Sequence, residues 1–184
     1  MDTSLLAASP AGIVTPLLTP LSNLDKLDPS GLERLLHHVI EGGVAGIFLL
    51  GTSGEGPSLS YALRLELIRR SCEQVARRIP VLVGISDTAL TESLHLAEEA
   101  AKAGASGLVV APPYYLRYSQ SDLLYYLEQL SADLPLPLLL YNFPDLTKIP
   151  FSPATVQRAS EMPGIIGLKD SSGDMEYLHE VLRV

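Results

Sequence analysis

Cysteine is nearly absent from this chain: Cys72 stands alone among 184 residues. That excludes a disulfide framework and a cysteine-based metal cluster. Basic residues are scarce, 13 against 21 acidic ones, which gives a net charge of −8 and a pI of about 4.9. A nucleic-acid partner leaves a basic footprint, so none is expected. No apolar run approaches the ~20 residues of a membrane span. The histidines His37, His38, His95 and His179 never fall in a paired ligand motif such as His-Glu-x-x-His. Glycine and proline, 14 of each, are too few for collagen-like repeats or low complexity. The N-terminal MDTSLLAASPAG has an acid where a signal peptide has a base, and its apolar stretch is short. What is present, 47% apolar and 18% charged residues, is the composition of an ordinary globular domain. The expectation is a soluble, cytoplasmic chain folded as one domain over residues 1–184.

Six short apolar runs recur: 13–18, 44–50, 81–85, 107–111, 136–141 and 165–168. They are continuous rather than alternating, as in parallel strands buried on both faces. With Ile13, Gly46, Val81, Leu108, Pro137 and Ile165 as markers, they recur every 27 to 35 residues. That spacing holds a strand, a helix and two loops. The intervening segments have helical periodicity. Asp28-Pro29-Ser30 opens a stripe of Leu32, Leu35, Leu36, Val39 and Ile40, which Gly42-Gly43 closes. Ser60 caps a stripe of Tyr61, Leu65, Ile68, Cys72 and Val75. Further stripes are Leu90, Leu94, Ala97 and Ala101, then Leu123, Leu127 and Leu130 after Ser121. Ser152-Pro153 and Asp174 open the last two helices. The class is α/β with a parallel sheet. Pattern alone leaves two architectures open, a doubly wound sheet and a (β/α)₈ barrel.

In both architectures ligands bind at the C-terminal ends of the strands. Those ends read Thr15-Pro16, Gly51-Thr52-Ser53-Gly54-Glu55-Gly56, Ser86-Asp87, Pro113-Tyr114-Tyr115, Tyr141-Asn142-Phe143-Pro144 and Lys169-Asp170-Ser171-Ser172-Gly173. Lys169 is one of only four lysines and directly follows Ile165-Ile166-Gly167-Leu168. An amine beside apolar strands loses hydration, which favours its neutral, nucleophilic form. A neutral amine can attack a ketone and form a Schiff base, an electron sink for making or breaking a C–C bond. The alternative for such a lysine is to snorkel into solvent. Tyr141, one strand earlier, is placed for general acid/base work or for simple packing. The Gly51–Gly56 turn offers adjacent N–H groups and two hydroxyls to a small anion; without a following Gly-Lys-Ser/Thr it is not a P-loop.

In this order the motifs resemble the dihydrodipicolinate synthase / N-acetylneuraminate lyase family. The marks are Gly51-Thr52-Ser53-Gly54-Glu55, Pro113-Tyr114-Tyr115, Tyr141-Asn142-Phe143-Pro144 and Gly167-Leu168-Lys169-Asp170. The resemblance implies a (β/α)₈ TIM barrel, of which this chain carries about the first six βα units. It also implies a class I, Schiff-base aldolase or lyase acting on pyruvate or another 2-oxo acid and an aldehyde, with no cofactor and no metal. Lys169 would be the imine-forming lysine and Tyr141 the proton relay. Thr52 and Ser53 would hold the substrate carboxylate, and Thr52 would link Tyr141 to Tyr115. Tyr115 would reach into a neighbouring copy's site, so a homo-oligomer is implied.

Two departures bear on the substrate. Lysine-pathway synthases of this family usually carry arginine two residues after the proline of Tyr-Asn-x-Pro, where this chain has Leu146. The motif is commonly closed by Thr-Gly, where this chain has Thr147-Lys148, so Lys148 offers a point charge in place of the arginine fork. These differences favour a sugar-acid or 4-hydroxy-2-oxo-acid aldolase over a 4-hydroxy-tetrahydrodipicolinate synthase. A different class of expectation is an inactive fragment or non-catalytic scaffold. A barrel of usual size would continue for on the order of 100 more residues. Six units alone are expected to be aggregation-prone, with little activity.

Overall fold

The computed structural model describes residues 12–184, so the N-terminal stretch read above lies outside the described residues. In chain order the elements begin with strand β1 (Val14–Pro16), hairpin strands β2 (Leu21–Asn23) and β3 (Lys26–Leu27), and helix α1 (Pro29–Glu41). Strand β4 (Gly46–Leu49), helix α2 (Tyr61–Val75), β5 (Val81–Gly84), α3 (Leu90–Ala103) and β6 (Gly107–Val110) follow. The chain then forms α4 (Gln120–Ser131), β7 (Leu138–Asn142), a short α5 (Pro144–Thr147), α6 (Pro153–Ser160), β8 (Ile165–Asp170) and α7 (Met175–Val181). Hydrogen bonds order six strands β1-β4-β5-β6-β7-β8, with β2 and β3 as a separate antiparallel pair. No helix among the described residues is long and apolar enough to cross a membrane.

The chain divides into two compact units. Among the described residues, the first holds those up to Gly84 together with Leu96–Leu108. Its strands β4 and β5 are short apolar segments, buried at every position. They pair in parallel with Ile47 opposite Val81, and β1 joins β4 with Val14 opposite Gly46. Asp28 starts α1 by accepting the Gly31 N–H at 3.0 Å, with Pro29 preset at the first helical position. Leu32 and Leu36 are buried, and Gly43, at φ 76°, turns the chain out of the helix.

The second unit holds Ile85–His95 together with Val109–Val184. Helix α4 buries Leu123, Leu127 and Leu130, the expected stripe, and adds Tyr126. Its cap is Ser119 rather than Ser121. Asp122 at the third helical position bonds back to the Ser119 N–H at 2.8 Å, and that reciprocal pair decides between two nearby serines. Gln120 ties α4 to α6, accepting from the Ser152 N–H at 3.0 Å and the Thr155 hydroxyl at 2.6 Å.

Three further expectations are corrected. Helix α2 buries Leu63, Leu67 and Ser71 beside Ile68, Cys72 and Val75, while Tyr61 is exposed. The face is turned because Arg64 is buried with its donors satisfied by backbone carbonyls. Helix α3 likewise buries Ser93, Leu96 and Ala100 with Ala97, where Leu90, Leu94 and Ala101 are only half-buried. Strand β8 is not buried on both faces: Ile166 and Gly167 are exposed and its other residues half-buried.

Burial leaves the Cys72 thiol poorly solvated and pushes its pKa up to about 11. It should therefore resist a thiol reagent at about pH 8 in the folded protein and react fully once urea unfolds it. Stoichiometric labelling of the native state would contradict this burial.

Candidate active site

Strands β7 and β8 run parallel, with Tyr141 opposite Lys169 and Asn142 opposite Asp170. Both strands reach further than their apolar runs, so Lys169 lies within β8 rather than just after it. Side chains alternate across a sheet, so Tyr141 and Lys169 share one face while Asn142 and Asp170 share the other. On the first face the Lys169 Nζ stands 3.4 Å from the centroid of the Tyr141 ring. It also donates to the Ser171 Oγ at 3.0 Å. The Tyr141 ring is itself buried and leans on Phe143, centroids 5.8 Å apart. A cation on a ring face is held by the ring quadrupole. The amine is thus fixed in direction by an aromatic face and a hydroxyl, with a phenol on the neighbouring strand.

The second face carries the bracing. The Asn142 side chain, 1% exposed, donates to the Asp170 carboxylate at 2.8 Å and accepts the Phe151 N–H at 3.0 Å. The Asn142 backbone carbonyl accepts the Ser171 N–H at 2.9 Å. Asp170 also takes the Ser172 hydroxyl at 2.8 Å, and Ser172 in turn accepts the N–H of Asp174, the cap of α7. On α7 the Tyr177 phenol is pushed up to about 12 by burial and by the Asp170 charge. In the sequence Asn142, Asp170 and Ser171 stand out only as motif members. Period-two alternation beyond Tyr141 and Lys169 was the signal that could have given them roles.

The Gly51–Glu55 turn follows β4 in the first unit. Thr52 and Ser53 are exposed at its crest. The turn closes on itself through Glu55 N–H to the Thr52 carbonyl at 3.0 Å and Gly56 N–H to the Gly51 carbonyl at 3.3 Å. Gly54 is required here: a Cβ would meet the Leu17 carbonyl at 2.8 Å.

In the second unit Tyr115 is 84% exposed, so its ring is presented outward. Leu146 lies on α5 and is half-exposed. Lys148 ends α5 in the left-handed conformation, φ 63°, the backbone state that a glycine adopts without cost. Its ammonium turns back to donate to the Asp145 carbonyl. Thr147 is buried and bonds the carbonyls of Phe143 and Ile149.

Replacing Asn142 by leucine should test the bracing. It leaves the buried Phe151 N–H unpaired, a loss of about 1–3 kcal/mol, and removes one of the two donors to Asp170 Oδ1. Chemical denaturation should therefore show Asn142→Leu less stable by a few kcal/mol; an unchanged midpoint would mean that water replaces the amide freely.

Comparisons with known proteins bear on this geometry. The model of the dihydrodipicolinate synthetase family matches residues 9–184. The dihydrodipicolinate synthase structure from Bacteroides thetaiotaomicron is 51% identical, with a TM-score of 0.91 over 95% of this chain and 59% of its own. YagE of Escherichia coli K12, named a putative 2-dehydro-3-deoxy-D-gluconate aldolase, is 37% identical over 93% of this chain and 57% of its own length. Its crystal structure in complex with pyruvate gives a TM-score of 0.89, covering 94% of this chain and 58% of that one. The 4-hydroxy-tetrahydrodipicolinate synthase of Salinibacter ruber is 34% identical over 93% of this chain and 57% of its own. This chain spans about three fifths of the length of the relatives that it matches. Its fold class is a partial (β/α)₈ TIM barrel, with six βα units in sequence. The chain belongs to the dihydrodipicolinate synthetase family.

Proposed function

We propose that this protein is a class I, Schiff-base-forming lyase or aldolase that acts on pyruvate or a related 2-oxo acid. The observation that carries the reading is the Lys169–Tyr141 pair, an amine 3.4 Å from the ring of a buried tyrosine at the matching position of the adjacent strand. In this reading the neutral Lys169 amine attacks the C2 carbonyl, and the carbinolamine loses water to leave an iminium. Loss of a proton from C3 gives an enamine, whose carbon then adds to an aldehyde; the reverse sequence cleaves. Water releases the product and restores the amine. Carbinolamine formation, loss of water and addition to the aldehyde each place a proton on an oxygen, while enamine formation takes one from C3; the Tyr141 phenol is the group proposed to carry these protons. The Gly51–Glu55 turn is assigned the substrate carboxylate, through the hydroxyls and N–H groups of Thr52 and Ser53.

For the second substrate, the reading favours a sugar acid or a 4-hydroxy-2-oxo acid over the lysine-pathway aldehyde. Leu146 provides no bidentate grip on a carboxylate. Lys148 is assigned a point charge toward the aldehyde partner, for which its ammonium would leave the Asp145 carbonyl. The relatives are named both ways, as a sugar-acid aldolase and as synthases, so the assay includes both. The exposed Tyr115 supports a homo-oligomer in which this ring enters a neighbouring copy's site.

Borohydride reduction in the presence of pyruvate should leave an adduct on Lys169, located by peptide mapping. An adduct on Lys148 instead, or none, would sink the assignment. Tyr141→Phe should keep the fold and slow turnover by about 10²–10⁴-fold, the usual worth of general acid/base help; a loss below about tenfold would mean that another group carries the proton. Assayed side by side, 2-keto-3-deoxy sugar acids or 4-hydroxy-2-oxoglutarate should outpace the lysine-pathway condensation. Preference for the latter would restore the synthase reading.

A further inference from the structure

The Gly51–Glu55 turn is strained at both ends and clamped from outside. Leu50 precedes it and Glu55 closes it, and both adopt left-handed backbone, φ 57° and 55°. Residues with a side chain avoid this region, and they keep it only where their surroundings leave no alternative. The Leu50 carbonyl is boxed in by two glycines: a Cβ would lie 2.3 Å from it at Gly56 and 2.6 Å at Gly84. Thr19, 35 residues before Gly54, and Arg64, on the helix that follows, hold the rest. The Thr19 hydroxyl, after β1, donates to the Gly54 carbonyl at 2.7 Å. Arg64, on α2 and only 6% exposed, donates through Nε to the Leu59 carbonyl at 3.1 Å and through Nη2 to the Pro57 carbonyl at 3.3 Å. Its guanidinium lies 4.7 Å from the Tyr61 ring centroid. Burying a guanidinium is unfavourable unless its donors are met. Here they are met in part by the chain segment that leaves the turn.

This arrangement has a functional sense. Thr52 and Ser53 are exposed, while the backbone beneath and after them is fixed by the half-buried Thr19 and the buried Arg64. We propose that Thr19 and Arg64 are positioning residues. They hold the turn so that the hydroxyls and N–H groups of Thr52 and Ser53 are arranged for a carboxylate before it arrives. Binding to a preformed cradle avoids the ordering cost that a loose loop would add, so the effect falls on affinity rather than on the chemical step. The proposal rests on the reading of this turn as the carboxylate site of a 2-oxo acid.

Thr19→Val is the test, because it keeps the shape and removes the donor; Thr19→Ser keeps the donor. Hydrogen exchange over residues 51–59, without ligand, should be about five- to tenfold faster in Thr19→Val and unchanged in Thr19→Ser. The pyruvate concentration that half-saturates borohydride trapping should rise about tenfold in Thr19→Val, with an unchanged plateau and with recovery in Thr19→Ser. Arg64→Met should act in the same direction, but it removes a buried cation, so the threonine pair carries the decision. No change in either measurement, or a lower plateau at an unchanged half-saturating concentration, overturns the proposal. Absence of any adduct in the unaltered protein refutes the Schiff-base reading and the carboxylate role of the turn with it. Exchange then still decides whether Thr19 fixes the turn.

Discussion

The site depends on the register of β7 against β8. Parallel pairing sets Tyr141 beside Lys169, and a slip of one residue would send one of the two to the opposite face. That register is fixed by more than ladder hydrogen bonds. Asn142 reaches across to Asp170 and also takes a buried N–H from Phe151, so it can make both bonds only in this alignment. The chemistry proposed for one face is therefore supported by polar contacts on the other.

The two faces also divide the electrostatics. The Asp170 carboxylate is directed to Asn142, Ser172 and, through its charge, Tyr177. The amine of Lys169 instead has an aromatic face and the Ser171 hydroxyl. Neighbouring residues of opposite charge are thus given separate surroundings by the strand's alternation alone.

Local signals in the sequence were reliable. Asp28, Ser60, Ser152 and Asp174 all cap the helices they precede, because a cap bonds to backbone only two or three residues ahead. The six strands stand where the apolar runs lie. The faces of α2 and α3 were harder to read. Periodicity counts apolar residues, whereas Arg64 and Ser93 are buried because polar partners satisfy them: carbonyls of the preceding loop for one, the distant Tyr126 hydroxyl at 3.4 Å for the other. The hairpin of β2 and β3 was missed because it is short and mostly exposed, with no hydrophobic pattern to reveal it. At the site, strand-end position alone singled out Lys169 and Tyr141. The partners Asn142, Asp170 and Ser171 required the register, which depends on contacts across 28 residues of chain.

The central claim is that the Lys169 amine is the nucleophile and acts from beside the Tyr141 ring. A crystal structure of the protein soaked with pyruvate tests it most directly. The account predicts continuous density from the Lys169 Nζ to C2 of the ligand. Pyruvate bound without a covalent link to Lys169, or joined to a different lysine, would contradict it.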